Sequence, residues 1–120
     1  MRNKRDHRKI GTEKERLAGE LLQKKGYEIL QYNYYCRSGE IDIIAKESDY
    51  LVFIEVKYRS HVRNGYPEET IQWNKRKKIT QVAQYYMMRQ GYPQETLCRF
   101  DVVVFLGNEY RIIKDAFEAV

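Results

Sequence analysis

The stretch Glu40-Ile41-Asp42-Ile43-Ile44, followed after a short polar turn by Val52-Phe53-Ile54-Glu55-Val56-Lys57, decides the fold of this chain. Both runs are apolar and β-branched, the composition of strands. Lys46 to Tyr50 between them is about the length of a hairpin loop. Each run is broken by charge, an Asp in the first and a Glu-x-Lys in the second. Alternation along a strand turns Glu55 and Lys57 to one face, about 7 Å apart, and pairing of the two runs brings Asp42 close to Glu55. A carboxylate in an apolar layer is costly without a partner. A divalent cation is the simplest partner for two of them, and hard oxygen ligands suit Mg²⁺ or Mn²⁺. The pattern points to metal-assisted phosphodiester hydrolysis.

Outward from these strands, Tyr27 to Tyr35 alternates loosely and is rich in Tyr, as an outer strand is, and Ser38-Gly39 marks the turn before Glu40. Upstream, Thr12 followed by Glu15 has capping-box spacing and predicts a helix start. Leu17, Ala18, Leu21 and Leu22 form its apolar stripe, and Gly26 stops it. Residues 1–10 carry Arg2, Lys4, Arg5, Arg8 and Lys9 against Asp6 alone and read as a basic tail, either solvated or contacting phosphates. Downstream, Arg59 to Tyr66 is polar, and Pro67-Glu68-Glu69 has the form of a helix start. Ile71, Lys75, Ile79, Val82, Ala83 and Tyr86 then share one face of a helical stretch to about Arg89, which Asn74 divides if it caps a second segment. Gly91-Tyr92-Pro93 ends it. Arg99 to Leu106 is another apolar strand, entered through Asp101, and Gly107-Asn108 turns it into Glu109 to Lys114. The order α-β-β-β-α-β-β, with no repeat or linker, predicts a single α/β domain over 11–120 with a mixed central sheet flanked by helices.

A chain of 120 residues can build one core, and 22 basic against 17 acidic residues favour a polyanionic partner. Cys36 and Cys98 are too few for a disulfide framework and lack CxxC spacing, which fits a reducing compartment. The N-terminus has no apolar signal region, and no stretch approaches a membrane span. The expectation is a cytoplasmic protein.

With Glu15, Asp42 and Glu55-x-Lys57 in this order, the chain resembles the restriction-endonuclease-like PD-(D/E)xK superfamily. It is most similar there to the YraN-like family, bacterial proteins expected to be nucleases and related to Holliday-junction resolvases. The resemblance runs through Glu15 to Ala18, Gly26-Tyr27, the Asn33 region, Gly39 to Asp42, Phe53 to Lys57 with Arg59, Lys75, and Arg99 to Val103. Ile41 stands where the superfamily pattern has Pro, which that superfamily often lacks. The resemblance implies that Asp42 and Glu55 ligate the metal with the Val56 carbonyl as a third oxygen. It implies that Lys57 orients the attacking water or offsets transition-state charge, and that Glu15 holds a metal-bound water. Lys75, Arg76, Lys77, Lys78, Arg59 and Arg63 would contact DNA, chosen by structure more than by sequence, and the related resolvases imply a homodimer.

Each assignment has a plainer counterpart. Asp42 can bond a backbone amide at a strand end, and Glu55 and Lys57 can pair on a sheet surface. Glu15 can be the acidic member of a capping box, and Lys75 to Lys78 a solvated helix face from which Lys75 departs by phase. Asp101 reads best as an acceptor for Arg99 or a loop amide. The eleven Tyr residues read mostly as core or sheet surface, Trp73 is open, and His7 and His61 have no ligand spacing. The rival class is a nucleic-acid-binding or scaffold module of the same fold without catalysis.

Overall fold

The computed structural model describes the backbone of residues 4–59 and 71–120, and side chains from residue 11 onward. Arg63, His61 and the Pro67-Glu68-Glu69 helix start lie outside the described residues, as do the side chains of the basic segment before Gly11. The elements are α1 (Lys4–Lys24), β1 (Glu28–Cys36), β2 (Gly39–Glu47), β3 (Tyr50–Arg59), α2 (Trp73–Gln90), β4 (Cys98–Leu106) and β5 (Glu109–Phe117). The five strands form one sheet in sequence order, β1-β2-β3-β4-β5. All neighbours run antiparallel except β3 and β4, which are parallel. The segment carrying α2 makes that one crossover, as a parallel pair requires. This is the mixed α/β sheet expected from the element order.

The sheet is buried on both faces. Ala18 and Leu22 of α1 pack on Ile43, Ala45, Val52, Ile54, Val103 and Phe105. Ile79, Val82, Ala83 and Tyr86 of α2 pack on Ile44, Phe53, Phe100, Val102 and Val104 of the opposite face. Central β3 and β4 therefore read as continuous apolar runs, whereas edge strand β1 is exposed or half-buried along its length. The β2–β3 hairpin closes more tightly than expected, with Glu47 opposite Tyr50 and only Ser48 and Asp49 between.

Two helix starts differ from expectation. Helix α1 begins at Lys4, so Thr12 lies within it and caps nothing, and Lys4 to Ile10 are helical backbone where a tail was expected. A Ser/Thr-x-x-Glu pattern marks a start only where the chain before it leaves the helix. Gly11, Glu15, Ala18 and Leu22 instead form one stripe at i, i+4, i+7 and i+11, and Ala18 and Leu22 are fully buried against the sheet. Helix α2 starts at Trp73 with Gln72 in the cap position and no side-chain cap bond, so Asn74 is internal and Ile71 joins the core from outside the helix. Its C-terminus is as expected: Gly91 takes the left-handed conformation (φ 76°) and Tyr92 N–H reaches Met87 O at 2.9 Å.

Candidate active site

Asp42 stands where the sheet forks. Strands β2 and β3 pair as far as Ile43 opposite Ile54. Beyond that point β2 continues on β1 alone, through Ile41 opposite Tyr34 and Glu40 opposite Tyr35. Strand β3 continues on β4, through Glu55, Val56 and Lys57 opposite Val102, Val103 and Val104. Val56 N–H thus loses its ladder partner on β2 and donates to Asp42 Oδ2 at 2.8 Å. The expected meeting of Asp42 with Glu55 follows from this register, since the next step beyond Ile43 and Ile54 sets them opposite one another.

The same place carries a kink. Tyr32 and Ile43 pack on the α1 side of the sheet, yet Tyr34 and Ile41, two residues away in each strand, pack on the α2 side. Alternation therefore breaks at the residues between them, Asn33 and Asp42, which the register places opposite each other. Asn33 absorbs the break with φ 53°, a conformation L residues seldom adopt and Asn tolerates better than most.

Three carboxylates converge at the fork. Glu15 from the inward stripe of α1, Glu40 from β2 and Asp42 each offer an oxygen within 4.8 Å of the others. Glu55, only 6% exposed, approaches from β3, and its Oε2 is 3.2 Å from Lys75 Nζ on α2. Burial, then the charge of Glu55, pushes the Asp42 carboxyl up to about 8; Glu15 and Glu40 add to this, and the Val56 N–H opposes it. Burial raises Glu15 too, with Glu40 adding and hydrogen bonds to Asn33 and Asp42 opposing. Burial raises Glu55 against the attraction of Lys75 and Lys57. Glu55 in turn raises Lys75. Four acids share one place with two lysines beside them, and Glu15, Asp42 and Glu55 resist ionising there. A hard divalent cation relieves that repulsion and takes carboxylate oxygens by preference, so the donor set fits Mg²⁺ or Mn²⁺. A cleft of about 450 Å³, lined by Gly11, Thr12, Glu15, Asn33, Tyr35 and Glu40, opens onto the cluster.

The structure thus gathers Glu15, Asp42, Glu55 and Lys57, and brings Lys75, its side chain half exposed, to Glu55, a partner that helical phase alone did not name. It leaves the other basic candidates apart. Lys77 and Lys78 are exposed on α2, with Lys77 Nζ 5.2 Å above the Trp73 ring. Arg76 is half-buried and its Nε makes no hydrogen bond. Arg59 ends β3 and donates to Tyr58 O at 3.1 Å. Asp101 has the structural role read for it. Fully buried, it accepts from Arg99 Nε (2.9 Å) and Nη2 (3.0 Å), Tyr27 O–H (2.7 Å) and Asp115 N–H (2.9 Å). Sequence reasoning passed over two members. Glu40 lies two residues before Asp42, a same-face spacing that could have singled it out, whereas the Asn33 region entered only through the family resemblance, with no role for Asn33.

Residues 14–105, which include all of these carboxylates and lysines, match the model of the Uncharacterised protein family UPF0102. The chain is 53% identical over 109 residues to a UPF0102 protein of Lachnoclostridium phytofermentans, covering 91% of this chain and 92% of that one. Over 116 residues it is 42% identical to one from Caldicellulosiruptor saccharolyticus, covering 92% and 98%. A UPF0102 protein of Chromohalobacter salexigens is 38% identical over 118 residues, covering 95% and 94%. With a family match across the fork and relatives aligned over nearly their whole length, the chain belongs to the UPF0102 (YraN-like) family.

Proposed function

We propose that the protein is a metal-dependent endonuclease that hydrolyses phosphodiester bonds in DNA at the β2–β3 fork, acting on branched or otherwise distorted structures. The observation that carries this reading is the convergence of Glu15, Glu40 and Asp42 at the mouth of a cleft, with Glu55 and Lys57 on the adjoining strand. Asp42 and Glu55, with the Val56 carbonyl, would hold Mg²⁺ or Mn²⁺, and Glu15 and Glu40 would orient water beside it. A bound ion of this kind acidifies water and offsets phosphate charge. The chain's own residues supply the rest. Val56 N–H holds the Asp42 carboxylate in place. Lys57 sets a positive charge beside Glu55 and aims it at the charge that grows on the phosphate. Lys75, Lys77 and Lys78 hold the phosphates that flank the cut. Nothing among the described residues reads base edges, which favours recognition of shape. Two cuts on a symmetric junction call for a homodimer.

The test is incubation with linear, nicked and four-way-junction DNA, and RNA of the same sequences, in Mg²⁺, Mn²⁺ or EDTA, alongside Lys57→Met. The expected result is metal-dependent cleavage of DNA that EDTA and Lys57→Met each abolish, strongest on the junction. Cleavage that survives both, or none on any substrate from a folded metal-bound protein, overturns the reading.

A further inference from the structure

Trp73 is the chain's one tryptophan, and the fold does not use it as core. The inward face of α2 is set by Ile79, Val82, Ala83 and Tyr86. At about 100° per residue Trp73 lies roughly 120° away from Ile79, and it keeps 52% of its surface exposed. The stripe it begins continues through Lys77, Gln81, Gln84 and Met88, so mostly polar side chains follow the ring along α2, with no continuous apolar patch among the described residues of that stripe. Such a surface does not suit a protein partner, whose interface core is depleted of charge. It suits a nucleic acid. Lys77 Nζ stands 5.2 Å above the indole, and Lys78 is exposed farther round the same helix. A flat π-face flanked by cations is how proteins grip unpaired nucleotides, with bases stacking on the ring and lysines meeting the phosphates. The position matters as much as the chemistry. Trp73 opens the same turn of α2 as Lys75, which reaches Glu55 at 3.2 Å, and at about 100° per residue its ring stands roughly 160° around the helix from that lysine, so a strand on the indole crosses the outer side of α2 on its way to the fork.

We propose that Trp73 is a stacking platform for an unpaired nucleobase on the outer side of α2, on a strand that leads to the fork, with Lys77 at the ring and Lys78 farther round the helix meeting the phosphates. The assignment deepens the nucleic-acid reading of the site and rests on it, and it names the substrate class: a strand with at least one unpaired base outside the cut. Lys77 covers one face of the indole and the base takes the other. A blunt duplex, with its bases stacked on one another, offers nothing to the ring.

Because there is one tryptophan among eleven tyrosines, intrinsic fluorescence excited at the red edge, beyond tyrosine absorption, reports on Trp73 alone. The metal-free protein in EDTA is titrated with a short oligothymidylate and with a blunt duplex of the same length, while anisotropy of a labelled strand measures binding independently. Saturable quenching by the single strand is expected, with little from the duplex. Trp73→Ala should weaken single-strand binding roughly ten-fold, and Trp73→Phe should retain most of it. Lys77→Gln with Lys78→Gln should lower the salt dependence and leave residual quenching in place. Single-strand binding without quenching, equal quenching by the duplex, or no binding of either overturns the assignment. So does a blue shift that grows with protein concentration alone, which makes the ring a contact between copies. No metal is needed, so the two proposals fail separately. Quenching by a protein that never cleaves leaves the platform and removes the nuclease, whereas cleavage by a protein with a silent Trp73 does the reverse.

Discussion

Replacing Asp42 by Asn should make the metal-free protein more stable, by an amount that depends on pH in a set direction. The Asp42 carboxyl rises from 3.8 to about 8 because it is buried beside Glu55, Glu15 and Glu40. A group whose pKa is higher in the folded state binds a proton on folding, so stability is greatest below its unfolded value and falls as pH climbs through the folded one. Here the fall runs from about pH 4 to about pH 8. Taken alone, a rise of that size corresponds to about 6 kcal/mol. The neighbouring acids share the protons, so Asn at this position recovers a part of it, about 2–3 kcal/mol. Asn keeps an acceptor for the Val56 N–H, now 2.8 Å from Asp42 Oδ2, so the strand fork is preserved. In a domain of this size the gain is roughly 6–12 °C in melting temperature. The assay is thermal unfolding in EDTA across this pH range. The two proteins should melt together near pH 4, diverge as pH rises, and stay apart by a constant amount above pH 8. Saturating Mg²⁺ should then raise the wild type and leave the Asn variant unmoved. A variant that is less stable throughout, or offset by the same amount at every pH, refutes the idea that carboxylate repulsion is stored at the fork.

Lys75→Met removes the ammonium that competes for Glu55; Mg²⁺ should bind several-fold more tightly by calorimetry while DNA affinity falls, and weaker metal binding would make Lys75 a support for the site. Glu15→Gln, freed of any capping role by a helix that begins at Lys4, removes a charge that burial and Glu40 oppose, so at neutral pH it should raise the melting temperature of the metal-free protein by less than Asp42→Asn does, and lower metal-dependent cleavage roughly 10–100-fold, as loss of a group holding a metal-bound water does. Full activity would reduce it to a pocket wall. Arg99→Met leaves the fully buried Asp101 with Tyr27 and Asp115 as its hydrogen-bond partners and should cost about 3–5 kcal/mol in chemical denaturation, with metal affinity per folded molecule unchanged; a loss of metal binding in the folded fraction would tie that cluster to the fork.

The chain's own pattern determined the strands, their order and much of the chemistry at the fork. Apolar runs of strand length interrupted by single charges placed Asp42, Glu55 and Lys57, because side-chain period and apolar cost are local properties. The pairing of Asp101 with Arg99 was legible for the same reason, since residues two apart share a strand face. Lys75 was legible by helical phase against Ile79, although Ile71 lies outside the helix, and its partner Glu55, 20 residues earlier, was not legible. The start of α1 was misread because a capping box is a local signal, while helix continuation through Gly11 is settled by the stripe that Glu15, Ala18 and Leu22 lay on the sheet. Only the tertiary structure decided where β2 parts from β3. Ladder length depends on what each strand pairs with on its other side, and no residue near Asp42 states that. That parting frees the Val56 N–H for Asp42, turns the chain at Asn33, and brings Glu40 and Glu15 to within 4.8 Å of Asp42. A strand's composition fixes which faces its charges take; convergence of charges from three elements requires the elements to be packed.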